Sequence, residues 1–142
     1  MIFFPDVNVW VALAFAEHTH NSAAWNWFYE SQRTESYVTF CRITQMGFLR
    51  LITNPTVMQE DVWKPADAWD IFDQFLKIPL VIRMDEPPGL EDHWREGTGS
   101  RNHGSNWWTD AYLTAFAAAG ELTLVTFDKQ LARLSPGAHL LK

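Results

Sequence analysis

Three aspartates stand where a carboxylate can be put to chemical use. Asp6 follows the apolar run at residues 2–5 (IFFP), Asp128 follows the run at 122–126 (LTLVT), and Asp110 falls in the first turn of a helical stretch at 106–119 (NWWTDAYLTAFAAA). In an open parallel sheet, sites form outside the carboxyl ends of the strands, so all three can meet in one crevice. Two carboxylates about 4 Å apart repel by about 4 kcal/mol at an effective dielectric of about 20. A divalent cation is the simplest compensation, and an all-oxygen donor set without paired cysteines favours Mg2+ or Mn2+ over zinc. Asn8, two residues after Asp6, and Thr126, two before Asp128, are candidates to orient a carboxylate or a water on the metal. The other reading makes Asp6 and Asp110 helix caps or first-turn charges and Asp128 a turn residue. Taken singly, the residues leave both open.

The elements that must position these carboxylates follow from apolar spacing and breakers. Residues 2–5 read as a short buried strand ending at Pro5, followed by a helix from Val7 to Phe15. A polar break at 18–21 precedes a second helix reaching about Ser31, with Ala23, Ala24, Trp27 and Phe28 as its stripe. YVTF at 37–40 predicts a strand and RITQMGFLRLI at 42–52 a helix, halted before the breaker Asn54-Pro55. Pro65 opens a further helix, LVIR at 80–83 returns as a strand, and residues 84–106 form a long Gly- and Pro-rich connection with a short helix around 90–95. Ser105 or Asn106 is the capping candidate for the helix carrying Asp110, and Gly120 its stop. After LTLVT come a short amphipathic piece (KQLARL) and a last strand near 138–141. Strands alternating with helices predict an α/β fold with a mostly parallel sheet.

The 142 residues suit one domain spanning 1–142, and 47% hydrophobic residues with eight Trp and ten Phe exclude a disordered chain. A formal charge of −6 argues against a protein that coats nucleic acid through its phosphates, yet it is compatible with a carboxylate-built hydrolytic centre. The lone Cys41 excludes a disulfide framework and a cysteine-ligated zinc finger, and it fits a reducing compartment, so cytoplasmic localisation is expected. The N-terminal run carries Asp6 and lacks a basic leader region, which predicts neither a signal peptide nor a membrane span.

Other side chains have competing uses. His18 and His20 have the look of a metal pair, but no third ligand is near and a helix start follows, so a capping or solvated role is expected. His93 and Trp94 precede Asp110, either to stack on a base and gate the site or as part of a small helix packed on the core. Arg42, Arg50 and Lys129 are the basic candidates for positioning a phosphate; for the two arginines the alternative is an ordinary exposed helix face. The remaining tryptophans are read as core or dimer-interface anchors before stacking platforms for single-stranded RNA.

Assembled in order, these pieces resemble the PIN-domain family, specifically the VapC-type toxins of bacterial and archaeal toxin–antitoxin pairs. The resemblance rests on Asp6-Val-Asn8-Val, His18 and His20 before a helix with Ala24 and Trp27, Gly47-Phe-Leu-Arg50-Leu-Ile-Thr-Asn54-Pro55, Asp110-Ala-Tyr-Leu, and Leu124-Val-Thr126-Phe-Asp128, spread over almost the whole chain. It implies a three-layer α/β/α domain with about four to five strands. It also implies Mg2+- or Mn2+-dependent hydrolysis of RNA phosphodiesters, with Asp6 and Asp110 as main ligands, Asp128 assisting, and Asn8 and Thr126 in support. A small antitoxin and a second copy of the chain are the implied partners. There is one departure. The family commonly carries a Glu on its third helix where this chain has Gly47, and residues 36–59 hold no carboxylate. Three Asp then suffice, or Glu86, Glu91 or Asp92 enters from the long connection, or Gln45 or Thr44 holds a water. The departure keeps alive a PIN domain that binds RNA or a partner without cutting. A receiver domain, which also places Asp at strand ends, is disfavoured because YVTFCR offers no phosphoacceptor Asp.

Overall fold

The structure is a computed structural model that describes residues 1–99, 104 and 106–142. Five strands form one parallel sheet: β1 (Ile2–Pro5), β2 (Tyr37–Phe40), β3 (Val81–Arg83), β4 (Thr123–Thr126) and β5 (His139–Leu140), in the order β3-β2-β1-β4-β5. Between them run α1 (Val7–Ala14), α2 (Asn21–Arg33), α3 (Arg42–Ile52), α4 (Pro55–Met58), a 3-10 turn (Gln59–Asp61), α5 (Pro65–Lys77), α6 (Leu90–Thr98), α7 (Trp107–Gly120) and α8 (Lys129–Leu134). No helix among the described residues is long and apolar enough to cross a membrane.

Side chains alternate across a strand, and here that alternation divides the core in two. On one face Val38, Phe40 and Val125 meet α1, α2, α3 and α5, where Trp10, Phe28, Phe48, Phe72 and Phe75 are buried. Trp10 lies flat on Phe40, with ring centroids 3.7 Å apart. On the other face Phe4 and Leu124 meet α6, α7 and α8 through Leu90, Leu113, Phe116 and Leu131. The result is the expected three-layer α/β/α arrangement.

Several expectations shift when packing is visible. β3 begins at Val81, not Leu80, because Leu80 takes a left-handed φ of 70° that a strand does not accommodate. α7 runs through Gly120, and Glu121 supplies the left-handed turn at φ 57° instead. Of the two capping candidates, Asn106 makes no side-chain bond at this terminus, and Ser105 lies outside the described residues. Asn54-Pro55 ends α3 and also starts α4, since Asn54 accepts from the Thr56 N–H and Pro55 occupies the first turn. The short helix expected around 90–95 extends to Thr98 and lies against α7 through Trp94, whose indole N–H donates to the Trp108 carbonyl. Trp10 and Trp27 are core residues, whereas Trp69 and Trp108 are half exposed.

Gly47 has a packing reason. A Cβ at this position would come within 2.6 Å of the Val7 Cγ2 atom, so any side chain here requires Val7 to shift.

Candidate active site

The strand order places β1 beside β4, and the chain reaches β2 and β3 on one side of β1 before crossing to β4 on the other. That reversal opens a crevice at the carboxyl ends of β1 and β4. The register pairs Pro5 with Val125, so Asp6 and Thr126 come out side by side. The Asp6 N–H continues the ladder by donating to the Val125 carbonyl at 2.9 Å.

Asp6 and Asp128 are both helix caps. Asp6 Oδ1 accepts from the N–H groups of Asn8 and Val9 at the start of α1, and Asp128 Oδ1 accepts from those of Gln130 and Leu131 at the start of α8. Capping does not account for the whole arrangement. The Thr126 hydroxyl donates to Asp6 Oδ2 and accepts the Asp128 N–H at 2.9 Å, which ties the two strand ends together. Asp6 is buried, and burial raises its pKa from the ordinary 3.8 to about 6; the hydrogen bonds from Thr126, Val9 and Asn8 oppose the rise, and the Asp128 charge adds to it. Asp110, half-buried on α7, is likewise raised by burial and then by Asp128. Asp128 therefore repels both of the other carboxylates, and among the described residues no Lys, Arg or His pairs with any of the three.

Asp110 and Asp128 line a cleft of about 620 Å³ together with Gly104, Asn106, Trp107, Gln130, Arg133 and Leu134. Asp6 is not on its wall and is joined to the Asp128 backbone through Thr126. Among the described residues no three His, Cys, Asp or Glu side chains are gathered closely enough to hold one ion jointly. Two oxygen-donor carboxylates lining an open cleft, with a third joined to them through Thr126, nevertheless suit a hard divalent cation in chemistry and in charge. Asp110 and Asp128 are the pair that could hold it.

Other candidates are placed elsewhere. Asn8 meets Asp6 through its backbone N–H, while its exposed side chain borders a separate cavity with Phe15, His18, Leu51 and Val57. Arg42 is exposed and donates to the Gln45 Oε1 at 2.7 Å; Arg50 is exposed in the last turn of α3, and neither lines the cleft. Lys129 opens α8 but is not on the cleft wall either. His93 is exposed and borders a small side pocket that shares Trp107 and Leu134 with the cleft. The acids of the long connection do not enter: Glu86 accepts from the Tyr112 hydroxyl and Glu91 pairs with Arg95. His18 Nδ1 accepts the His20 N–H, and the His20 ring stacks on Phe127, while His20 makes no side-chain bond that caps α2.

Sequence reasoning missed Gln130 and Arg133. Their signal was present, since positions three apart share a helix face and Leu131 marks the buried side of KQLARL.

An open parallel sheet with acidic side chains at its switch point defines an α/β protein with a carboxylate-lined cleft. The PIN domain model matches residues 3–135, and the chain belongs to the PIN-domain family. It is 38% identical over 127 residues to Ribonuclease VapC41 of Mycobacterium tuberculosis, covering 87% of this chain and 86% of that protein. Ribonuclease VapC39 of the same species is 32% identical over 127 residues, covering 89% and 88%. Among solved structures, VapBC2 from Rickettsia felis bound to a promoter DNA fragment superposes with a TM-score of 0.71 at 17% identity, covering the whole of both chains. VapC20 of Mycobacterium tuberculosis, a Sarcin-Ricin loop cleaving toxin, superposes with a TM-score of 0.64 at 16% identity, covering 92% of this chain and 93% of that one. These two structural likenesses carry the fold.

Proposed function

We propose that this chain is a Mg2+- or Mn2+-dependent endoribonuclease, the toxin of a VapBC-type pair, with the PIN domain extending over residues 1–142. The observation that carries the reading is the pair Asp110 and Asp128 on the wall of an open cleft at the switch point of the sheet, with Asp6 joined to the Asp128 backbone through Thr126. The curated relatives, named as VapC ribonucleases, support the same reading.

In this reading Asp110 and Asp128 hold the cation at the cleft wall, and Asp6, expected with Asp110 as a main ligand, stands joined to the Asp128 backbone through Thr126. When bound, the cation supplies a water of lowered pKa and stabilises charge at the attacked phosphate and the leaving oxygen. Thr126 orients the pair: its hydroxyl proton is committed to Asp6 and its oxygen to the Asp128 N–H, so the backbone carrying Asp128 is fixed relative to β1. Asn8 contributes its N–H to Asp6, which holds that carboxylate at the strand end. The substrate is RNA. The partners are a small antitoxin and a second copy of the chain, in the cytoplasm.

The non-cleaving alternative draws on Gly47, which lacks the carboxylate the family commonly carries and where a Cβ would meet the Val7 side chain. Asp110→Asn decides between them. The variant should lower Mg2+-dependent RNA cleavage by at least about 100-fold, the scale of losing one preorganised charge-stabilising group, and should abolish growth arrest on induction. RNA ends mapped after induction of wild type and variant provide the cellular readout. Undiminished cleavage by Asp110→Asn would sink the assignment.

A further inference from the structure

A cleft walled by carboxylates repels the polymer it is proposed to cut. The cation answers that repulsion at the bond being broken, but a nucleic acid chain brings further phosphates on either side. The chain's net charge of −6 provides no general basic surface to receive them. Arg133 is the only Lys or Arg on the cleft wall among the described residues. It lies in the last turn of α8, exposed, and among the described residues it forms no ion pair, unlike Arg33, Arg83 and Arg95. Gln130, three residues earlier on the same helix, lines the same wall and adds an amide donor beside it. Arg133 thus brings to the cleft wall a planar fork of donors with no ion-pair partner among the described residues, a chemistry that matches the oxygens of a phosphodiester.

We propose that Arg133, with Gln130 beside it, forms a subsite for the RNA phosphate next to the one being cleaved. This rests on the ribonuclease reading and names the substrate contact within that same site. Arg133 is a binding residue for the flanking phosphate and takes no part in bond breaking. Arg42, Arg50 and Lys129 lie off this wall and do not share the role.

Two measurements on the full chain test the subsite. The first is steady-state cleavage of a fluorescein-labelled single-stranded RNA oligonucleotide of mixed sequence by wild type, Arg133→Gln, Arg133→Lys and Arg33→Gln, the last removing one positive charge away from the cleft. Arg133→Gln should raise KM by about tenfold or more, the scale of one charge-assisted contact, with kcat little changed. Arg133→Lys should recover part of the loss, and Arg33→Gln should match wild type. The second is binding of the same RNA in chelator at a series of KCl concentrations. The slope of log K against log salt should be shallower by about 0.7 in Arg133→Gln, the single-strand value for one phosphate contact, with an unchanged melting temperature. An unchanged salt slope, or equal effects of Arg133→Gln and Arg33→Gln, overturns the subsite. Should wild type bind RNA with the Arg133-dependent slope and yet never cleave it, the subsite stands and the nuclease reading falls.

Discussion

Replacing Asp6 by Asn should make the metal-free protein more stable near neutral pH and less stable by about 1 kcal/mol in acid, where only the cost of rearranging against Thr126 remains. Both residues cap a helix about equally well, so the substitution tests the buried negative charge and spares the cap. The folded carboxyl has its pKa raised from 3.8 to about 6. At about 1.4 kcal/mol for each pH unit, the ionised form costs the native state about 3 kcal/mol. Because the folded pKa lies above the unfolded one, the native state binds the extra proton between these values. The contribution of Asp6 to stability therefore falls as pH rises from about 4 to about 6 and is level beyond, and the difference between wild type and Asp6→Asn follows it. Thr126 must find a new arrangement of donor and acceptor against the amide, at a cost of about 1 kcal/mol. The expected net gain is about 2 kcal/mol, or about 4–8 °C in melting temperature for a chain of this size. Thermal and urea melts in chelator at about pH 7.5 and about pH 3.5 read the difference directly. Equal stability of the two proteins at the higher pH, or a loss there, would refute the claim that the Asp6 charge is held against a burial penalty.

Two further outcomes follow from the same geometry. Mn2+ should raise the melting temperature of wild type, by about 2.7 kcal/mol of added stability at 100 times its dissociation constant, and the rise should shrink sharply in Asp110→Asn; an equal rise in both proteins would place the ion elsewhere. Gly47→Ala should destabilise by about 1 kcal/mol or more, because overpacking against Val7 outweighs the gain in helix propensity. In a Val7→Ala background the same change should become neutral or stabilising, and a double-mutant cycle that shows no coupling would remove the close-approach explanation.

Much of the scaffold was readable from spacing alone. The strand at 37–40 and the helix at 42–52 have the bounds their apolar positions predict, and the next helix opens at Pro65 as expected and ends at Lys77. The less regular features were hidden for physical reasons. Leu80 and Glu121 adopt left-handed φ values without the glycine that ordinarily signals them, and α4 is a single turn with no buried residue and so no stripe to find. The aspartates at the strand ends were legible because a parallel sheet fixes where carboxyl termini lie. Which basic side chain faces them was not, since Arg42, Arg50, Lys129 and Arg133 differ only in the face their helices present.

The sequence by itself determined the alternation of strand and helix, the two-faced apolar pattern of β1 and β4, and the three carboxylates at their characteristic places. Those features are local, written in periods of two and 3.6 residues. Only the tertiary structure decided that Asp6 is buried and charged at a cost, and that Thr126 joins it to the Asp128 backbone. It also decided that Gly47 lies hard against Val7 and that, among the described residues, Arg133 is the basic side chain on the cleft wall. Each of these depends on distances between segments far apart in the chain, 120 residues in the case of Asp6 and Thr126, which no local pattern encodes.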